Sequence, residues 1–201
     1  MAGRLSALEA ETLHVVVDMQ RLFAEATDWR VPGFADILPP ILELVRAHPL
    51  HSLYTRFVTP VTAEAVTGDW QRFYARWPSV LLDRMDRAML DLVEPLDRLA
   101  PPEAVLDKTV YSAFASAAFV AALQRRDART LVLTGVETDV CVLATALDAV
   151  DRGLHVVIAT DAVASWSPAG HRAALEAIYP RFDRQVELAA MGEIMAAWPG
   201  D

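Results

Sequence analysis

Cysteine is almost absent from this 201-residue chain, Cys141 being the only one. A single thiol cannot close an internal disulfide, which excludes a disulfide-stapled secreted scaffold. Histidine is sparse too, five residues scattered without ligand spacing, so no metal is expected. Long apolar runs are missing: the longest, near Ala113 to Leu123, is interrupted by Ser116 and is too short to span a bilayer. Basic clusters are missing as well. Asp and Glu total 27 against 18 Lys and Arg, a formal charge of -9, and RRDAR at Arg125 to Arg129 is broken by Asp127. Nucleic acid and anionic membrane are therefore disfavoured as partners. The start, MAGRLSALEAETLHVVVD, has no apolar stretch ending at a small-residue cleavage site, so a cytoplasmic protein is expected. VVVDMQRLF also lacks the glycine fingerprint that admits a pyrophosphate, which argues against a dinucleotide-binding domain.

What is present is apolar and ordered. A hydrophobic fraction of 54% with 22% charged residues suits a compact α/β protein, read as one domain over 1–201. Short runs rich in Val, Leu and Ile alternate with longer helical patterns, the sign of a parallel sheet. Strands are predicted at Leu13 to Asp18, Ser52 to Arg56, Ala104 to Lys108, Leu131 to Gly135, Leu154 to Ala159 and Val186 to Leu188. Helices are predicted at Phe34 to His48, Ala117 to Arg126, Val140 to Arg152, Ala169 to Ala177 and Met191 to Trp198, with Gly153 as a C-terminal stop. Residues 60–99, with Gly68, Trp70, Phe73, Tyr74, Trp77 and Pro78, read either as a lid over the sheet edge or as aromatics filling a peripheral core.

Cys141 lies where a strand turns into a helix, in LTGVETDVCVLATALDAVDRG. A helix N-terminus favours thiolate, the nucleophilic form, although an unpaired cysteine is more often a small buried hydrophobe. Asp18 and Lys108 end two other predicted strands, and open parallel sheets gather strand C-termini at the edge where ligands bind. An acid to exchange a proton, an ammonium to favour negative charge and a thiol to attack carbonyl carbon would then meet. Backbone N–H groups of the turn Val136 to Cys141 would form the oxyanion hole. Glu137, in that turn, reads as facing substrate, a neighbouring subunit or solvent.

The motifs VVVDMQRLF, TRFVTP, GDWQRFYARW, DKTVYSAF, TGVETDVCVLATALDAVDRG and DAVASW together resemble the isochorismatase-like cysteine hydrolases, which include nicotinamidases, N-carbamoylsarcosine amidases and ureidoacrylate amidases. The resemblance implies a three-layer α/β/α, doubly wound, Rossmann-like six-stranded sheet, assembled as a homodimer or homotetramer. It assigns Asp18, Lys108 and Cys141 as a catalytic triad and puts a non-proline cis bond between Val136 and Glu137. It implies cleavage of a C–N bond in a small amide, ureido or carbamoyl substrate through a thioester. Nicotinamidases bind a metal after the second strand through an acid and histidines, whereas TRFVTPVTAEAVTGDW offers no histidine, so neither metal nor cofactor is expected. Gln20, Phe23, Trp70, Tyr74, Tyr111, Phe114 and Trp166 are the candidate pocket walls. Rival readings are a vinyl-ether hydrolase and a catalytically silent binding protein of the same fold.

Overall fold

The computed structural model of the chain describes residues 5, 7–9 and 11–198. Six strands form one sheet: β1 (Thr12–Val17), β2 (Ser52–Phe57), β3 (Val105–Lys108), β4 (Thr130–Val136), β5 (His155–Ala164) and β6 (Val186–Ala189). Every pair is parallel, in the order β3-β2-β1-β4-β5-β6. Two short helices, α1 (Arg21–Ala24) and α4 (Leu96–Leu99), accompany α2 (Phe34–Ala47), α3 (Asp69–Arg76), α5 (Ala117–Arg125), α6 (Cys141–Asp151), α7 (Pro168–Ala173) and α8 (Met191–Ala197). The strand sequence runs outward one way through β1, β2 and β3, then returns to β4 and runs the other way. Right-handed crossovers therefore place α2 and α6 on opposite faces. On its face α2 packs against β1, β4 and β5 and meets α8, while α6 covers β4 and β5.

The predicted alternation holds, with differences that tertiary packing explains. The fifth strand runs to Ala164 because β4 and β5 resume pairing past a register shift between Leu133 and Gly135. The seventh helix continues as a π turn over Ala174–Ile178 instead of a regular helix to Ala177. Gly153 follows α6 with φ 78, the left-handed stop expected of it. In the segment 60–99, α3 and several 3-10 turns carry aromatics that are partly core and partly cavity wall. Tyr74 is buried, whereas Trp70, Phe73 and Trp77 pack against the core from a half-exposed position.

β1 is buried along its whole length, as a central strand covered on both faces must be. That puts His14 in the core, where its neighbours satisfy it. Ser52 Oγ donates to the His48 carbonyl at 3.0 Å, so it accepts from His14 Nδ1–H at 3.3 Å, and Nε2 accepts from Thr134 Oγ1–H at 2.8 Å. Burial, helped by His48, pushes the His14 pKa down to about 3. Gly135 is paired with Val17 at φ 100, and a Cβ there would stand 2.0 Å from the Val17 carbonyl oxygen. Only glycine lets β4 pass β1 at this point.

Two outcomes follow for stability. Gly135→Ala should lose about 3 kcal/mol in urea unfolding, because backbone must move to admit the methyl. For His14 the folded pKa lies below the unfolded value of about 6.5, so its contribution is complete above pH 6.5 and lost as pH falls towards 3. The slope is up to about 1.4 kcal/mol per pH unit. Unfolding free energies at pH 7 and pH 5 should differ less in His14→Gln than in the parent chain, and an unchanged difference would remove His14 from the account.

Candidate active site

Sheet order brings three chemically active side chains to one crevice. The order reverses between β1 and β4, and such a switch point opens a crevice beyond the strand C-termini. Asp18 leaves β1 there in a left-handed conformation, φ 50, which aspartate tolerates better than most residues. Cys141 opens α6 just after β4. Lys108 comes from β3, two strands and roughly 10 Å away from β1, so a long flexible side chain is needed to cross β2. It passes over the Phe57 ring, with Nζ 4.7 Å from the centroid. Lys108 is the only lysine of the chain, as Cys141 is the only cysteine.

All three Lys108 N–H donors have acceptors: Asp18 Oδ2 at 2.7 Å, the Val110 carbonyl at 3.2 Å and Cys141 Sγ at 3.5 Å. The other Asp18 oxygen accepts from Thr55 Oγ1 at 2.6 Å, and the carboxylate acts on the nearby Cys141 thiol electrostatically. Both side chains of the Lys108–Asp18 pair are wholly buried. Burial pulls the Lys108 ammonium down, but the charges of Asp18 and Cys141 and their hydrogen bonds outweigh it and hold its pKa up. For Cys141 the balance falls the other way. Burial pushes the thiol up, Lys108 opposes this, and the Asp18 charge reinforces it. Burial thus outweighs the neighbouring ammonium and favours the neutral thiol, against the expectation of a thiolate. At rest the crevice holds a neutral S–H facing a carboxylate that can take its proton, with an ammonium beside both.

The strand-to-helix turn is built tightly. The Val136–Glu137 peptide is cis. Val140 and Val142 N–H both donate to the Glu137 carbonyl at 3.0 Å, and Thr138 N–H donates to Ala164 O at 3.0 Å. Val136 itself is buried in β4 and pairs with Ala164. Cys141 N–H stands at the helix start, among donors with no intrahelical acceptor. The Glu137 carboxyl is turned back into the protein: it accepts from Trp166 N–H at 2.8 Å and Ser165 Oγ at 3.2 Å, and Ser165 Oγ also bonds Asp139. Burial raises the Glu137 pKa against the pull of those donors. The reading of Glu137 as a solvent-facing residue is thereby corrected.

A cavity of about 260 Å³ opens over Cys141. Of the predicted wall residues, Phe23, Tyr111 and Trp166 line it, as does Glu137. Four predicted residues do not. Gln20 is buried and spends its amide on backbone, donating to Phe57 O and Leu90 O at 3.1 and 2.9 Å and accepting from Phe57 N–H at 2.7 Å. Trp70 and Tyr74 stand behind the lining, Tyr74 against Trp29 and Phe73, Trp70 against Tyr111. Phe114 packs edge-on to Phe119 and beneath Arg152, lining a separate hollow with Arg129.

Sequence reading missed Thr55, although it begins the TRFVTP motif, and missed Trp29, the hub of the cavity wall, because nothing local distinguishes it from a loop tryptophan. It also missed Asp28, Phe57, Phe73, Trp77, Asp139, Val140 and Ser167 as lining residues. The residues do not suit a metal ion. No histidine follows His51 within 52–99, and among the described residues no three of His, Cys, Asp or Glu come together to hold one.

Known proteins share this fold. Among solved structures, a cysteine hydrolase from Pseudomonas syringae pv. phaseolicola 1448A is 26% identical, covers 96% of each chain and superposes with a TM-score of 0.77. The "Uncharacterized isochorismatase family protein PncA" of Bacillus subtilis is 46% identical over 70 residues, 35% of this chain and 38% of that protein. Ureidoacrylate amidohydrolase RutB of Methylobacterium radiotolerans is 34% identical over 106 residues, 52% of this chain and 40% of that protein. The chain spans less than half the length of the first four curated relatives it matches. The model of the isochorismatase domain, in contrast, matches residues 12–190, from the first residue of β1 to just past β6, and by that match the chain belongs to the isochorismatase family.

Proposed function

We propose that the chain is a cysteine hydrolase that cleaves a C–N bond in a small amide, ureido or carbamoyl compound through a thioester, without a metal. One observation carries the reading: the only cysteine and the only lysine meet a wholly buried aspartate beside an aromatic cavity that the cysteine lines. The family and the ureidoacrylate amidohydrolase among the relatives support it.

As substrate displaces water, the Cys141 S–H proton passes to Asp18 and sulfur bonds the carbonyl carbon. The carbonyl oxygen gains charge beside Cys141 N–H, and a donor so placed contributes roughly 3 kcal/mol to the transition state. Lys108 offsets the negative charge in turn on sulfur, oxygen and carboxylate. The C–N bond then breaks while Asp18 returns its proton to nitrogen, and amine or ammonia departs. Water, deprotonated by Asp18, adds to the thioester, the C–S bond breaks, and sulfur regains a proton. Because the thiol starts neutral, proton transfer to Asp18 belongs to the reaction and is not completed beforehand.

Small amides, ureides and carbamoyl compounds screened for ammonia or amine release should yield a substrate. Cys141→Ala should lower its turnover about a thousandfold or more, with unfolding free energy changed by only about 1 kcal/mol. Lys108→Met should abolish turnover and also cost about 3–5 kcal/mol, since it strands a buried carboxylate. Undiminished turnover in the Cys141 variant would reject the mechanism.

A further inference from the structure

We propose that the substrate of this site carries a positive charge, an ammonium or comparable cation attached to the amide or ureide. The proposal deepens the hydrolase reading and rests on it for the position of the reacting carbonyl. Two independent features of the same cavity carry it.

The first is the wall. Trp29 lies 6.0 Å from Phe23 and 5.8 Å from both Phe57 and Phe73, centroid to centroid. Tyr111 closes the circuit at 6.4 Å from Phe57 and 6.5 Å from Phe73. Aromatic faces carry negative charge density and attract cations, most strongly where water is displaced. The second is the sign of the charged lining. Asp28, Glu137 and Asp139 line the cavity, and no Arg, Lys or His does. Among the described residues none of the three acids forms an ion pair.

Lys108 does not compensate for these three acids, because its charge is paired with the buried Asp18 carboxylate and it does not line the cavity. Glu137 and Asp139 converge on the one Ser165 hydroxyl, and Glu137 also accepts from Trp166 N–H, so two neighbouring carboxyls are held together by neutral donors with no basic side chain between them. An anionic substrate would meet three carboxyls without a countercharge. A neutral one would fit the rings but leave the acids, which are bonded only by neutral donors, without a countercharge. The overall charge of -9 also favours the approach of cations.

The test uses three small amides of similar size: carbamoylmethyl-trimethylammonium, its uncharged isostere 3,3-dimethylbutanamide, and anionic succinamate. Binding is measured by calorimetry on Cys141→Ala and turnover on the parent protein. The cation should bind about tenfold more tightly than the isostere, the difference should shrink as salt is raised, and succinamate should bind no better than the isostere. Asp28→Asn, at an exposed position where the amide oxygen can still accept from Ser79 Oγ, should reduce the cation-to-isostere ratio about threefold. Equal or tighter binding of the isostere or of succinamate, or no binding of the cation, overturns the proposal. Cation binding without turnover of any of the three by the parent protein would count against the hydrolase reading and leave the charge preference standing. Turnover that favours an uncharged amide would do the reverse.

Discussion

The buried ion pair between Lys108 and Asp18 is the constraint on which the site depends. Two charges removed from water are costly unless each is fully hydrogen-bonded. Here Asp18 takes Thr55 and Lys108, and Lys108 adds a backbone carbonyl and the Cys141 sulfur, so neither is left short. Those bonds link β1, β2, β3 and the start of α6 at a single point. Four elements far apart in sequence are thereby held in the register that the chemistry needs. The same pair acts on the sulfur in opposite senses, Lys108 lowering and Asp18 raising the Cys141 pKa, while burial, the largest influence, pushes it up.

Around this fixed centre the remaining structure divides its work. The sheet is all parallel and covered on both faces, which keeps the strand C-termini rigid while loops beyond them shape the cavity. Gly135 and the left-handed Asp18 lie side by side at the crevice, where β1 and β4 approach too closely for a side chain on the glycine. Trp29, from a loop, and Phe73 and Trp77, from the segment after β2, supply the walls. The acids Glu137 and Asp139 belong to the turn that presents Cys141 and are tied by Ser165 and Trp166 to the end of β5. Cys141 and two of the cavity's acids thus share one piece of backbone.

Some of this was legible residue by residue. The six strands follow from Val- and Leu-rich runs that need burial on both faces, and Cys141 follows from a turn between strand and helix. Asp18 and Lys108 are legible because each ends an apolar run, and strand ends collect at one edge. Gln20 was misread because a polar residue near an acid looks available, yet burial obliged it to bond backbone. Trp70, Tyr74 and Phe114 were misread because aromaticity alone does not distinguish a cavity wall from the layer behind it.

By itself, then, the sequence determines the alternation of strands and helices and marks Asp18, Lys108 and Cys141 at the strand and helix ends that share one edge, since periodicity and residue type are local properties. Only the tertiary structure decides which rings face the cavity, that Thr55 grips Asp18, and that Cys141 rests as a thiol. These depend on burial and on distances between segments that meet only when the sheet order closes around β1 and β4.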